Sequence, residues 1–381
     1  MKKFLDCISI VGATPSKFHG TKKYVSTGAV ATTEIDESEV VEVTYEDRPS
    51  RANLSAEAGD ILFAKMQGTR KTLLLDSETE ENIYSTGFYA VRANPEVITT
   101  ECLYYLIDSE LFLAQKDKNC SGATQKAITN GGMAKIEISV PALSEQGILV
   151  NKLKHLTQLI ADKKKQLNLF DEIIKSRFIE MFGDPKRNPR KWDMVTIGDI
   201  ATDVRYGTSR PATEGGKYPY LRMNNLTYEG YLDLTDLKHI DIPDNEVEKC
   251  VVRNGDVLFN RTNSVELVGK TCVYNLDSDM IIAGYIIRVR IDDRVLPVIL
   301  SSYLNSTVMK EQLRSMAKGA VNQANINAQE LRSIPIYLPP ITLQHEFATF
   351  VEQVDKSKFE IQQSLEKLEI LKKSLMQQYF G

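Results

Sequence analysis

Gly269-Lys270-Thr271 is the triplet in these 381 residues that most suggests phosphate chemistry, since a glycine turn followed by Lys-Thr can cradle phosphate oxygens. Such a loop needs a glycine five residues before Gly269, and Ser264 stands there instead. Lys71-Thr72 repeats the pair with Arg70 before it, which suits the start of a strand better. The chain has no GxGxxG turn, no HExxH pair and no GxSxG elbow, and Pro339-Pro340 follows Leu338 where an Asn/Asp-Pro-Pro-aromatic tetrad would need Asn or Asp. His19, His155, His239 and His345 lie far apart, and Cys7, Cys102, Cys120, Cys250 and Cys272 form no CxxC pair. Neither a metal site nor a disulfide framework is expected. The expected number of catalytic residues is none.

What remains is recognition chemistry. Arginine forks onto guanine and Asn or Gln onto adenine, while Lys, Ser, Thr and Tyr hold phosphates. In the first half the candidates are Lys22, Lys23, Arg48, Arg51, Lys65, Gln67, Arg70, Lys71, Gln125 and Lys126. In the second half they are Arg205, Tyr206, Thr208, Arg210, Arg222, Asn224, Asn225, Asn260, Arg261, Asn263 and Gln323. Singly, such residues are ordinary solvated loop residues; clustering after the same strand in both halves sets them apart. The net charge of −4 argues against a uniformly basic surface but leaves room for a local basic face.

These candidates hang on a unit written twice. Gly59-Asp60-Ile61-Leu62-Phe63 recurs as Gly255-Asp256-Val257-Leu258-Phe259, and Tyr105-Leu106 recurs as Tyr303-Leu304. Gly122-Ala123 with Gln125 and Ile128 is answered by Gly319-Ala320 with Gln323 and Ile326. Ile136, Ile138, Pro141 and Gln146 return as Ile334, Ile336, Pro339 and Gln344, and Phe182-Gly183 as Phe380-Gly381. A period near 198 is too long for a solenoid, so the pattern is a duplicated domain plus connector.

Each copy opens with β-branched and aromatic runs that predict strands: 40–45, 60–64 and 84–91 in the first, 250–260, 271–274 and 281–291 in the second. Helices follow over 100–116 and 297–317, then strands over 135–140 and 333–338 that stop at proline. This mixture predicts an α/β (α+β) domain in each half. The longest apolar segment, 280–291, is interrupted by Gly284, Arg288 and Arg290, so no membrane span is expected. Asp6 breaks the N-terminal apolar run too early for a signal peptide, and the cytoplasm is the expected location.

After each proline the pattern changes to a coiled-coil stripe. Its first seam is Leu149, Leu153, Leu156, Ile160, Leu167, Phe170 and Ile174, broken by Lys163. The second is Phe347, Val351, Val354, Ile361, Leu365 and Leu368, continued by Leu371 or Leu375 and broken by Lys358. About forty helical residues make a rod of about 60 Å, marginal alone, so the two rods are expected to pack together antiparallel about a pseudo-two-fold axis. The stretch 183–192, with Pro185, Pro189 and four basic residues, reads as a solvated linker. The expected order is a domain over 1–142, a helix over 143–183, linker and second domain over 184–341, and a second helix over 342–381.

In this order the motifs resemble the specificity subunits of Type I restriction-modification systems, and the resemblance covers essentially the whole chain. It rests on the paired Gly-Asp-Ile/Val-Leu-Phe strands, the Gly-Ala-x-Gln-type turns and the Ile-x-Ile-x-x-Pro strands. The helix openings Leu143-Ser144-Glu145-Gln146 and Ile341-Thr342-Leu343-Gln344 belong to the same pattern, as does the lead Trp192, Val195, Ile197, Gly198 and Asp199. The first copy lacks the tryptophan lead. The resemblance implies two target-recognition domains, each reading one half of an asymmetric bipartite site in double-stranded DNA, with the helices setting the spacer and docking methyltransferase subunits. It implies two methyltransferase subunits holding S-adenosylmethionine and two restriction subunits using ATP and Mg2+, with no cofactor in this chain. Base-reading residues vary with the target in that family, so the loop candidates above stand on physical grounds alone. Leu159, Leu169 and Ile179 lie off the seam and are candidates either for partner docking or for packing on the neighbouring domain. Two other readings remain open: a two-domain scaffold that binds proteins instead of DNA, and a single-chain enzyme, which the missing cofactor motifs disfavour.

Overall fold

The computed structural model describes residues 1–320 and 323–381, and the chain divides into two compact units. One comprises Met1–Lys164 with Gln363–Gly381, the other Lys165–Gln362. Each long helix therefore contributes to both units.

The first unit carries two four-stranded sheets. One has the spatial order Ile8–Val11, Phe88–Ala93, Ile61–Ala64, Thr72–Leu74 and is antiparallel throughout. The other runs Val41–Val43, Lys22–Val25, Ile83–Ser85, Ala52–Leu54, with a parallel pairing in its centre. The second unit repeats both. Ala201–Tyr206, Ile286–Ile291, Val257–Asn260 and Thr271–Val273 form the antiparallel sheet. Lys238–Ile240, Tyr218–Leu221, Met280–Ile282 and Val251–Val252 form the sheet with the parallel centre. Duplication in the sequence is thus duplication of topology.

Several predicted elements are cut in two. The run 84–91 is split between Ile83–Ser85 and Phe88–Ala93, which belong to different sheets, and 281–291 divides in the same way into Met280–Ile282 and Ile286–Ile291. The run 250–260 divides into Val251–Val252 and Val257–Asn260 around a turn where Gly255 has φ +90°. In the first two runs the crossings fall at Thr86-Gly87 and Gly284-Tyr285, where Thr86 and Tyr285 are exposed; a two-residue interruption between apolar stretches does not by itself separate two strands from one. The predicted helices 100–116 and 297–317 are each two helices, Thr100–Ile107 with Glu110–Lys118 and Pro297–Asn305 with Thr307–Met316. The breaks fall at Ser109 and Ser306, whose hydroxyls accept from the backbone N–H of Phe112 and Met309 and so cap the second helix of each pair.

The Gly-Asp motif is a lock between turn and sheet. Asp60 accepts from the N–H of Glu57 and takes a two-pronged bond from Arg92, at 2.6 and 3.1 Å. Asp256 accepts from the N–H of Arg253 and from Arg290, at 2.8 and 3.2 Å. Both carboxylates are buried, so each bridges the neighbouring strand where water cannot.

The long helices span Leu143–Phe182 and Ile341–Phe380. In the first unit Leu149 and Leu153 share a core with Met376 and Phe380, while Lys164 pairs with Glu369. In the second unit Phe178 and Phe182 pack on Phe347, while Lys358 pairs with Asp171. Within each unit the pairing is antiparallel. All thirteen predicted seam residues from Leu149 to Leu368 are buried or half-buried. Leu375 continues the seam, whereas Leu371 is 53% exposed. Leu159, Leu169 and Ile179 are 46%, 51% and 40% exposed, so a large part of each side chain is open to solvent. Each helix opens on a fully buried glutamine. Gln146 accepts from the N–H of Thr99 and donates to the carbonyls of Val97 and Pro141; Gln344 accepts from Leu296 and donates to Arg294 and Pro339.

The 183–192 stretch lacks helix and strand, as predicted, but it is pinned. Asn188 exchanges two hydrogen bonds with the Trp192 backbone, Trp192 packs on the second unit's core, and Tyr337 donates its hydroxyl to the Gly183 carbonyl.

Candidate nucleic-acid interface

The strand Ile61–Ala64 delivers Lys65 at its end. The Lys65 N–H donates to the Gly87 carbonyl, its ammonium donates to the Thr86 carbonyl at 2.8 Å, and the same ammonium lies 4.4 Å from the centre of the Tyr89 ring. In the second unit the strand Val257–Asn260 delivers Arg261. Its N–H donates to the Tyr285 carbonyl, its guanidinium reaches the Gly284 carbonyl at 3.5 Å, and it lies 4.8 Å from the Tyr206 ring centre. Each unit thus places one cation on an aromatic ring at one strand end. Burial holds the Lys65 pKa below its ordinary value.

A second segment meets this strand end. In the first unit the Ile128 N–H donates to the Lys65 carbonyl, the Gln67 N–H donates to the Lys126 carbonyl, and Met66 bridges Ala127. In the second unit the Ile326 N–H donates to the Arg261 carbonyl, and Thr262–Asn263 pairs with Gln323–Asn325, itself paired to Lys318–Ala320. The Gly-Asp strand and the segment from Gly-Ala through Gln125 or Gln323, about sixty residues apart in sequence, therefore form one edge in each unit. Lys65, Gln67, Gln125 and Lys126 gather along it in the first unit, with the last three exposed. Arg261 and Asn263 stand on it in the second; the side chain of Gln323 lies outside the described residues.

The other candidates divide by what their polar atoms already hold. Arg51 and Asn224 are exposed. Lys22, Lys23, Arg205 and Arg210 pair with Glu81, Glu37, Asp203 and Glu246; the last three basic groups are exposed, and Lys22 is half-buried. Pairs so open to water cost little to break. Tyr206 accepts from the Ala328 N–H while remaining exposed.

Several expectations need correction, because the groups are spent inside the fold. Asn260 is fully buried, donating to the Thr262 and Tyr285 carbonyls and accepting from Asn263. Asn225 is buried, accepting from the Arg222 N–H and donating to the Asp233 carbonyl. Thr208 is buried and caps the Arg210 N–H. Arg70 forks onto the buried carboxylate of Asp108 at 3.0 and 2.9 Å. Arg48 donates to the carbonyls of Tyr45 and Ala52 and to Asn53; half-buried Arg222 pairs with exposed Asp236 and belongs with the open pairs above. Lys71 and Lys270 donate to the Thr27 and Met223 carbonyls, so the Lys-Thr pair fastens loops and does not face a phosphate.

Sequence reasoning missed Tyr89, whose ring lies beside the Lys65 ammonium, and Tyr285, whose backbone carbonyl accepts from the Arg261 N–H; both carried no signal beyond an aromatic in a strand-like run. It also missed two buried lysines, Lys116 and Lys310. Burial lowers both pKa values, that of Lys310 to about 7, with Lys270, Arg314 and Lys175 adding repulsion and Glu229 opposing it. Among the described residues no group of three or more His, Cys, Asp or Glu could hold a metal, and no helix is long and apolar enough to cross a membrane.

Known proteins resemble this chain in sequence and fold. The chain is 23% identical over 314 residues to the Type I restriction enzyme EcoKI specificity subunit of Escherichia coli strain K12, covering 77% of this chain and 67% of that one. It is 23% identical over 317 residues to the Type I restriction enzyme StySPI specificity subunit of Salmonella potsdam, covering 78% and 68%. The chain spans about two thirds of the length of both relatives. A chain from a structural study of complex assembly and conformational transition in the type I R-M system matches with TM-score 0.57 and 22% identity, over 98% of this chain and 97% of that one. That likeness concerns the fold. Residues 10–169 and 189–372 each match the Type I restriction modification DNA specificity domain, one match per copy of the repeated strand-and-turn edge, and the chain belongs to that family.

Proposed function

We propose that this chain is the DNA specificity subunit of a Type I restriction-modification complex, each unit reading one half of an asymmetric, bipartite duplex target. The observation that carries this reading is the repeated edge: a cation stacked on a tyrosine at a strand end, joined by backbone hydrogen bonds to a second segment, which in the first unit presents exposed Gln125 and Lys126. Such an edge offers a fork or ammonium to a base or phosphate and amide groups to an adenine. The long helices set the spacer between half-sites. Their exposed apolar residues, Leu159, Leu169, Ile173 and Ile179, offer docking for methyltransferase subunits.

In this reading catalysis resides in the partners: two methyltransferase subunits holding S-adenosylmethionine, and two restriction subunits using ATP and Mg2+. The chain works in the cytoplasm, where its DNA is. An overall acidic chain suits the role, because partner subunits supply part of the positive clamp around the duplex.

The test is a gel-shift titration of the chain assembled with its methyltransferase partner, on target and scrambled duplexes across a salt series. DNA reading predicts a steep loss of affinity with salt and a preference for one sequence that survives it. Sequencing of methylated bases in the host genome supplies the target. A complex that binds every duplex alike would overturn the reading.

A further inference from the structure

We propose that Lys116 and Lys310 are positioning residues for DNA reading: each holds the loop after its unit's Gly-Asp strand in the shape that presents that loop's base-reading side chain, Gln67 or Arg261. The inference rests on the reading of that edge as a DNA interface.

Lys116 is 2% exposed, and its ammonium donates to three carbonyls of one loop, those of Ala64, Met66 and Thr69, at 3.3, 2.9 and 2.7 Å. The loop between them carries Lys65 and Gln67. Converging carbonyls facing the interior need donors, and an ammonium supplies three from one atom. Lys310 is 4% exposed and donates to the Gly269 carbonyl at 2.9 Å, where the loop bearing Arg261 and Asn263 ends. Its ammonium also lies 5.0 Å from the Tyr228 ring centre. Gly269 has φ +80°, and a Cβ there would come 2.7 Å from Leu313 Cδ1, so the loop end sits directly on the lysine's helix.

The two lysines are not equivalent in sequence. Both helices start at a capping serine, Ser109 or Ser306. Lys116 stands seven residues after its cap, where the second unit has Leu313; Lys310 stands four after its cap, where the first unit has Leu113. Lysine and leucine have exchanged places about one helical turn apart. The attachment point has moved, yet an ammonium still reaches the same loop, through three carbonyls in the first unit and through the Gly269 carbonyl in the second. A lysine serving only to fill space could be replaced by a second leucine without the cost of desolvating a charge. The requirement met twice is a donor beneath the loop.

The test uses the full chain assembled with its methyltransferase subunit, with Lys116→Met and Lys310→Met made separately. Binding is selected from a duplex library randomised over both half-sites, at two salt concentrations. Lys116→Met is expected to lower sequence preference at one half-site by about tenfold, leaving the other half-site and the salt slope unchanged. Lys310→Met is expected to do the reverse. Unchanged preference at the matching half-site, or an equal loss of affinity on all sequences, would overturn the proposal. If methionine variants do not fold, Lys116→Gln and Lys310→Gln, which keep a neutral donor, are scored the same way, and their failure to fold would make the lysines stability residues only. Wild-type complex without sequence preference would instead sink the DNA reading itself.

Discussion

Lys65 and Arg261 occupy one place in the two halves of the chain: each ends the strand of a Gly-Asp motif, donates its N–H to the glycine-turn segment opposite, and lies over a tyrosine ring. They differ in what they can say to DNA. A guanidinium forks onto the two acceptors of guanine, whereas an ammonium acts as a point charge.

Arg261→Gln is therefore expected to relax preference at one base pair of the second half-site, at about 1 to 3 kcal/mol, with other positions unaffected. Lys65→Gln is expected to weaken binding evenly across sequences and to reduce the salt slope by about one. Quantitative selection on variant half-sites with salt titration measures both. An even loss for Arg261→Gln would make it a phosphate contact.

The buried glutamines that open the long helices predict local stability effects. Gln146→Leu leaves the Thr99 N–H and the Val97 and Pro141 carbonyls without their partner, which is expected to cost about 3 kcal/mol. Hydrogen exchange should show the loss of protection in the first unit only, and Gln344→Leu should show it in the second. Protection unchanged in both variants would show that neither glutamine anchors its helix.

Lys310 makes stability depend on pH. Its pKa in the fold, about 7, lies below its ordinary 10.5, so between these values the unfolded chain binds more protons than the folded one. Stability of the second unit should therefore rise as pH increases from 7 toward 8, a window kept below the range where buried Cys272, whose pKa is pushed from its ordinary 9.0 up to about 12, works in the opposite direction. Thermal unfolding followed in wild type and Lys310→Met measures it: the methionine variant should show a flatter rise. Equal slopes would mean that Lys310 does not titrate in this range.

The exposed apolar residues on the first long helix predict a partner surface. Leu169→Glu with Ile173→Glu, 51% and 46% exposed in the parent, should leave helical content unchanged and weaken association with the methyltransferase subunit by tenfold or more. Sedimentation of the mixed subunits checks this. Undiminished association would place the docking surface elsewhere.

The sequence by itself determined the duplication, the Gly-Asp turns and the helical seams, because each is a local pattern. Gly59 and Gly255 have φ values of +85° and +90°, positions that favour glycine, and the seams follow helical periodicity. Tertiary structure alone decided three other matters. It cut the apolar runs at 84–91 and 281–291 into strands of different sheets, since the short exposed turns at Thr86-Gly87 and Gly284-Tyr285 do not by themselves say whether the next strand stays in the same sheet. It joined the Gly-Asp strand to the segment from Gly-Ala through Gln125 or Gln323, a pairing set by backbone hydrogen bonds that every residue type can make. And it sorted the polar residues: Asn224 is exposed while Asn225 is buried in a turn, and Arg261 stacks at the edge while Arg70 is spent on Asp108. The same donors and acceptors serve a DNA base or a carbonyl of the fold, and only the packing around each side chain decides which it meets.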